Sequence, residues 1–188
     1  MAKETLHHLR DDELIGRILQ DPSSASFDEL HRRYYQKVLD KCYSMAKDRL
    51  LAEELTEDVF SKVFEKLPSF RQKASFSSWL YSITYNHCVD YLREKKRMHY
   101  PRWSRDNEIP DVIDDMEDVG SEINYVNLMK ILEMVHPEEK AILLMKYQDN
   151  LSIKQISAAL RITEAAAKMR LKRAKTRVIY LYTREYLK

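Results

Sequence analysis

Residues 151–175 read LSIKQISAALRITEAAAKMRLKRAK. Ser152-Ile153-Lys154-Gln155 is a capping-box pattern. The serine hydroxyl can accept from one orphan amide at a helix start while the Gln155 side chain reaches back to another. The helix opened there carries Ile153, Ile156, Ala159 and Leu160 on one side at helical spacing. Arg161-Ile162 break it, and Thr163 caps a second helix with Glu164 in its first turn, where an acid is favoured. Arg161 is unusual at the turn, because glycine suits the left-handed position that such helix ends prefer. Two helices joined by a turn of three or four residues, the second strongly basic, describe a helix-turn-helix.

The second helix has two distinct sides. At about 100° per residue, Ala167, Leu171, Ala174 and Val178 share an inward stripe. The opposite side presents Ala165, Met169, Lys172, Arg173 and Thr176. Lys168 and Lys175 flank it on one edge, Arg170 and Arg177 on the other. An α-helix fits the major groove of B-DNA, so the central set would face base edges and the flanks phosphates. A solvated charged surface is the competing account. Capping, turn length and segregated faces together favour DNA.

The charge of the whole chain reinforces the contrast. Net charge is only +2, yet from Ile153 onward ten bases stand against Glu164 and Glu185. From Arg105 to Glu122 the balance reverses, with Asp106, Glu108, Asp111, Asp114, Asp115, Glu117, Asp118 and Glu122 against Arg105. That stretch also carries Pro110 and Gly120, and self-repelling acids with little periodicity do not pack into a core. A basic end behind an acidic tether reads as a polyanion-binding module.

Composition restricts the class. The 188 residues are 44% hydrophobic and 33% charged, with 2 Gly and 5 Pro, which favours helices over a turn-rich β sandwich. The expected fold is all-α: a helical domain over 1–97, an acidic flexible linker over 98–122, and a helix-turn-helix domain over 123–188. Cys42 and Cys88 make neither a disulfide framework nor a zinc site. No apolar run is long enough to span a bilayer, and the opening MAKETLHHLRDDE lacks a signal-peptide core; a cytoplasmic setting without membrane insertion is expected. No glycine-rich phosphate loop, HExxH, GxSxG or metal-spaced set occurs, so neither an enzyme nor a cofactor is expected.

The N-terminal domain reads as three helices. The first opens at Ser26 and places Phe27, Leu30, Tyr34, Val38 and Tyr43 near helical spacing. In the second, LLAEELTEDVFSKVFEKL, the stripe Leu51, Leu55, Val59, Val63 and Leu67 points inward. Its outer side carries Glu53, Glu54, Glu57, Asp58 and Glu65 with Phe64 among them. That face fits a protein interface or a solvated helix with one stray ring. Pro68 ends the helix, and SFRQKAS leads into a third, FSSWLYSITYNHCVDYLREKKR. Its inward stripe reads Phe76, Leu80, Ile83, His87 and Tyr91, with His87 as a hydrogen-bonded core histidine. Trp79, Asn86, Asp90 and Arg93 share another face, running into Lys95-Lys96-Arg97. Rings, amides and cations together can hold unstacked nucleotides; taken alone, an aromatic stripe is more often core than a base platform.

FDELHRRYYQKVLDKC, LAEELTEDVFSKVFEKL, SFRQKASFSSWLYSITYNHCVDYLREKKR and LSIKQISAALRITEAAAKMRLKRAK stand in the order and spacing of bacterial RNA polymerase sigma factors. The chain resembles the two-domain extracytoplasmic-function (ECF) group over residues 10–97 and 123–182. The resemblance implies a specificity subunit that binds core RNA polymerase, directs it to promoters and assists melting. Glu53, Glu54, Glu57, Asp58, Phe60 and Phe64 would then dock on the β′ clamp. Phe70, Ser75, Trp79, Asn86, Asp90, Arg93 and Lys96 would capture the minus-ten element, as duplex and as melted single strand. Lys168, Met169, Arg170, Lys172, Arg173 and Lys175 would read the minus-thirty-five element. The linker would thread through polymerase in a basic channel. An anti-sigma factor is an implied partner, and the free chain would be a monomer. Three positions depart from the family's pattern: Ala165-Ala166-Ala167 replace a polar helix start, Arg161 the turn glycine, and Met169 a small polar residue. The rival reading is a stand-alone helix-turn-helix regulator whose N-terminal domain senses a ligand or dimerises.

Overall fold

A computed structural model describes residues 6–22, 25–71, 75–96 and 124–187. The expected linker, 98–122, lies outside the described residues. Among the described residues every regular element is helical, the all-α architecture expected from so few helix breakers. No helix there is long and apolar enough to cross a membrane. The chain divides into two compact units, Met1–Asp90 and Tyr91–Lys188.

The first unit begins with a short 3-10 turn, Leu6–His8, and helix α1, Asp11–Gln20. Acids Asp11, Asp12 and Glu13 fill the first turn of α1, where they complement the amide dipoles. Leu14, Ile15 and Ile18 are its buried residues. The motifs read from the sequence begin only at Ser26, so this helix is new from the structure. It is fastened to α2, Ser26–Ala46, by a cluster around Glu29, which is only 5% exposed. Arg33 Nε donates to Glu29 Oε1 at 2.7 Å and Arg33 Nη1 to Asp11 Oδ1 at 3.1 Å. Arg32 donates to the same carboxylate at 2.9 and 3.0 Å. The Tyr34 hydroxyl donates to Asp11 Oδ2 at 2.5 Å. Hydrogen bonds from Arg32 above all, then Arg33 and His7, hold the Glu29 carboxyl down at about 2 against its burial.

Helix α3, Arg49–Lys66, is capped by Asp48, which accepts from the Leu51 amide at 3.1 Å. Leu51, Leu55, Val59, Val63 and Leu67 are all buried, as their spacing requires. A 3-10 turn at Leu67–Ser69 ends the helix at Pro68. Helix α4, Phe76–Lys96, lies against both neighbours. The Cys88 thiol meets Cys42 Sγ of α2 at 3.7 Å, and Lys62 of α3 reaches His87 Nδ1 at 2.7 Å.

Two expected stripes shift. In α2, Tyr43 is 44% exposed with Lys47 over its ring, while Cys42 and Met45 are buried in its place. In α4 the buried residues are Phe76, Leu80, Thr84, Tyr85, Cys88, Val89 and Leu92; Ile83, His87 and Tyr91 are half-buried. The true arc lies one residue along because α4 packs on two helices, and a broad buried arc is not centred by a single i, i+4 row.

In the second unit, α5 (Tyr125–Met134) and α6 (Pro137–Leu143) pack with α7 (Ile153–Leu160) against the long α8 (Glu164–Tyr186). Asn124 caps α5 through its side chain, and its own amide donates to the Tyr182 hydroxyl of α8 at 2.8 Å. Helix α6 continues into a wide π turn, Leu144–Gln148. Ile131, Ile142, Met145, Ile156, Ala167 and Ala174 fill the centre.

Candidate functional site

The helix-turn-helix forms as its caps dictate. Ser152 Oγ accepts from the Gln155 amide at 3.2 Å while Gln155 Oε1 accepts from the Ser152 amide at 2.9 Å. Arg161 closes α7 in the left-handed region, φ 53° and ψ 45°, so the turn forms without glycine. The strain, roughly 1–2 kcal/mol for a residue with a Cβ, is held by the bond from the Ile162 amide to the Ser157 carbonyl at 3.0 Å. Thr163 Oγ1 then accepts from the Ala166 amide at 3.1 Å and starts α8.

Along α8, Ala167, Ala174 and Val178 are buried and Leu171 is half-buried. Ala165, Met169, Lys172 and Arg173 are exposed on the far side, with Lys168, Arg170 and Lys175 around them. Thr176 is half-buried. Arg177 departs from its expected place on the phosphate edge. Its Nε lies 3.0 Å from Glu139 Oε1, with 20% of the side chain exposed, so it ties α8 to α6. Arg170 stays outward, 3.9 Å from Glu138.

In the first unit, Phe70 and Trp79 meet at 5.0 Å between ring centroids, and Phe76 lies 6.0 Å from Phe70 and 5.8 Å from Trp79. Phe76 is buried, and its edge contact with Tyr34 at 5.3 Å supports the cluster from below. Phe70 and Trp79 are half-buried, each keeping part of its ring toward solvent. Ser75 stands at the head of α4, where its hydroxyl accepts from the Ser78 amide at 3.2 Å; that oxygen is engaged in capping. Further along the helix Asn86 is half-buried, Asp90 and Arg93 exposed. Lys96 ends α4, and its side chain lies outside the described residues.

The acidic face of α3 divides in the same way. Glu54, Glu57 and Asp58 are exposed, and Glu53 is half-buried with Arg49 on it at 2.7 Å. Phe64 is 43% exposed and rests edge-on against Phe27 at 5.0 Å. Phe60 is 4% exposed. Its ring belongs to the interior, 4.3 Å from His31 and stacked at 6.4 Å with Tyr35, so it is not part of the exposed face on which the sequence placed it. Phe27, His31 and Tyr35 are four residues apart on α2, Phe60 and Phe64 four apart on α3. That matching spacing is the signal by which the contact could have been read from sequence.

His87 bridges the two helices: its Nδ1 takes the Lys62 ammonium at 2.7 Å and its Nε2 lies 3.2 Å from Asp58 Oδ2. Burial, and then Lys62 beside it, push its pKa below the ordinary value, with Asp58 opposing. A neutral ring fits these contacts, with Nε2–H donating to Asp58 and Nδ1 accepting from Lys62.

A basic helix-turn-helix face in one unit, and a half-open aromatic cluster and an acidic helix face in the other, are features that an all-α DNA-binding protein would carry. Residues 30–98 match Sigma-70 region 2 and residues 125–178 match Sigma-70 region 4. The chain belongs to the sigma-70 family of RNA polymerase sigma factors, in its ECF group. It is 27% identical over 163 residues to the ECF sigma factor SigM of Bacillus subtilis, covering 85% of this chain and 96% of that protein. SigW of the same organism is 26% identical over 165 residues, covering 80% and 85%. The fold is similar to CnrH, solved with the cytosolic domain of CnrY (TM-score 0.64, 15% identity, 93% of this chain and 98% of that one). It is also similar to RpoE of Bartonella quintana, solved with the anti-sigma factor NepR (TM-score 0.59, 16% identity, 86% and 99%).

Proposed function

We propose that this chain is a promoter-specificity subunit that docks on core RNA polymerase through α3, captures the minus-ten element at the head of α4, and reads the minus-thirty-five element with α8. The single observation that carries the reading is the Phe70–Phe76–Trp79 cluster: two half-open rings, Phe70 and Trp79, seated on the buried Phe76, with Asn86, Asp90 and Arg93 further along α4. A duplex-only regulator has no use for such a platform, whereas a protein that opens DNA does. Extruding a base costs a few kcal/mol, and each stacking contact returns about 1–3 kcal/mol.

On α3, Glu54, Glu57 and Asp58 with the exposed edge of Phe64 suit the basic surface of a clamp, an aromatic anchor within a charged rim. On α8, Arg173 and Lys172 would meet base edges, and Lys168, Lys175 and Arg170 phosphates. The polymerase supplies the nucleotidyl chemistry; the sigma chain supplies promoter affinity and strand-opening free energy. The residues 98–122 would serve as the acidic tether between 1–97 and 123–188. RpoE of Bartonella quintana was solved with an anti-sigma factor, which supports a protein antagonist for this chain also. The free chain would be monomeric and cytoplasmic.

Reconstitution with core polymerase and run-off transcription on genomic fragments tests the reading. The expected result is promoter-specific transcripts that need both components. Tight binding of a palindromic operator by the chain alone, with no association with core polymerase at physiological salt, would overturn it.

A further inference from the structure

The feature of α8 that a basic DNA-binding helix does not explain is apolar. Ala165 and Met169 lie one turn apart at the front of the helix; both are exposed, Met169 at 51%. They do not serve the fold, which α8 joins through Ala167, Ala174 and Val178 on its other side. Neither can hydrogen-bond a base edge usefully, because an alanine has no polar atom and a thioether is only a weak acceptor. Lys168, Lys172 and Arg173 stand around them, so the surface that covers this patch is polyanionic.

A polyanion with an apolar spot at the depth a helix reaches is a major groove containing thymine, whose C5-methyl is the apolar group that the four bases present there. Base contacts come from the N-terminal part of a recognition helix, and this is where both residues sit. Four residues of helix rise about 6 Å, nearly two base steps at about 3.4 Å each.

We propose that Ala165 and Met169 form a reader of pyrimidine C5-methyl groups, so that the upstream promoter element carries thymine at the base pairs under the front of α8. The proposal rests on the reading of α8 as a promoter-binding helix. It converts the departure from a polar helix start into a specificity: methyl contact replaces hydrogen bonding at those positions.

The test uses the full chain bound to core polymerase. Upstream elements are selected from random duplexes, and each selected thymine is then replaced by deoxyuridine, which removes only the methyl. At one or two positions uracil should weaken binding about fourfold, the equivalent of about 0.8 kcal/mol for one buried methyl. At those positions 5-methylcytosine should bind better than cytosine, which separates the methyl from the rest of the base. Met169→Ala should lose the distinction between thymine and uracil at one position, while Lys175→Ala weakens both duplexes equally. Equal binding of thymine and uracil duplexes throughout, or a methyl preference that survives both Met169→Ala and Ala165→Gln, would overturn the proposal. A holoenzyme that selects no upstream element would overturn the promoter reading and this one with it.

Discussion

Trp79 meets Phe70 at 5.0 Å and Phe76 at 5.8 Å, whereas Lys168 and Lys175 of α8 stand exposed on long side chains. Rings already packed on one another lose little rotamer freedom when a base stacks on them. Lysines lose more, and their gain comes from releasing the counterions of the phosphates they neutralise. On the proposed reading the two units would therefore offer binding surfaces of opposite character: one preset and weakly sensitive to salt, the other adaptable and steeply sensitive to it.

The sharpest way to break that contrast is to loosen what presets the rings. Glu29→Ala removes the carboxylate that Arg32 and Arg33 share, leaving Arg33 with the Asp11 carboxylate, next to Tyr34, which carries Phe76. It should cost the N-terminal unit about 2–3 kcal/mol while the helix-turn-helix unit keeps its stability, as read by residue-resolved hydrogen exchange. The same carboxylate makes this unit acid-sensitive. Its folded value is depressed to about 2 from 4.5, so its contribution is complete above about pH 4.5 and fades as the pH falls toward 2. In Glu29→Ala that part of the acid dependence should vanish.

Removing a ring comes next. Trp79→Ala should weaken capture of single-stranded minus-ten oligonucleotide by about 2 kcal/mol, with the salt slope unchanged in a titration. Asn86→Ala should likewise impair open-complex formation more than polymerase binding; the reverse pattern would put the strand-capture face elsewhere. On α8, Arg173→Ala should cost about 1–2 kcal/mol on a subset of promoter sequences only. The smallest effect sharpens the salt argument. Lys175→Ala should lower the log–log salt slope by about one for every sequence. Arg170→Ala should lower it by less, because Glu138 at 3.9 Å already offsets part of its charge.

Legibility followed the same division. The caps Ser152, Gln155 and Thr163 and the two sides of α8 were readable because each depends on groups within four residues. The turn was readable except for Arg161, where local hydrogen bonding tolerates a left-handed arginine. In the N-terminal unit the stripe of α3 was readable, but Phe60 and Phe64, one turn apart, differ from 4% to 43% exposed. Nothing in their own helix separates them; the rows Phe27–His31–Tyr35 of α2 do. The α4 stripe was misplaced for a related reason, since that helix contacts both α2 and α3. Arg177, read as a phosphate contact, was claimed by Glu139 of another helix.

By itself the sequence determined helices α2, α3, α4, α7 and α8, the helix-turn-helix and most of the outward set of α8, because caps and periodicity act over one or two turns of chain. The tertiary structure decided which rings stay open, that Glu29 is buried under two arginines and a histidine, and that Asp11 reaches Arg33 across 22 residues. Those outcomes depend on neighbours remote in the chain, whose approach no local pattern encodes.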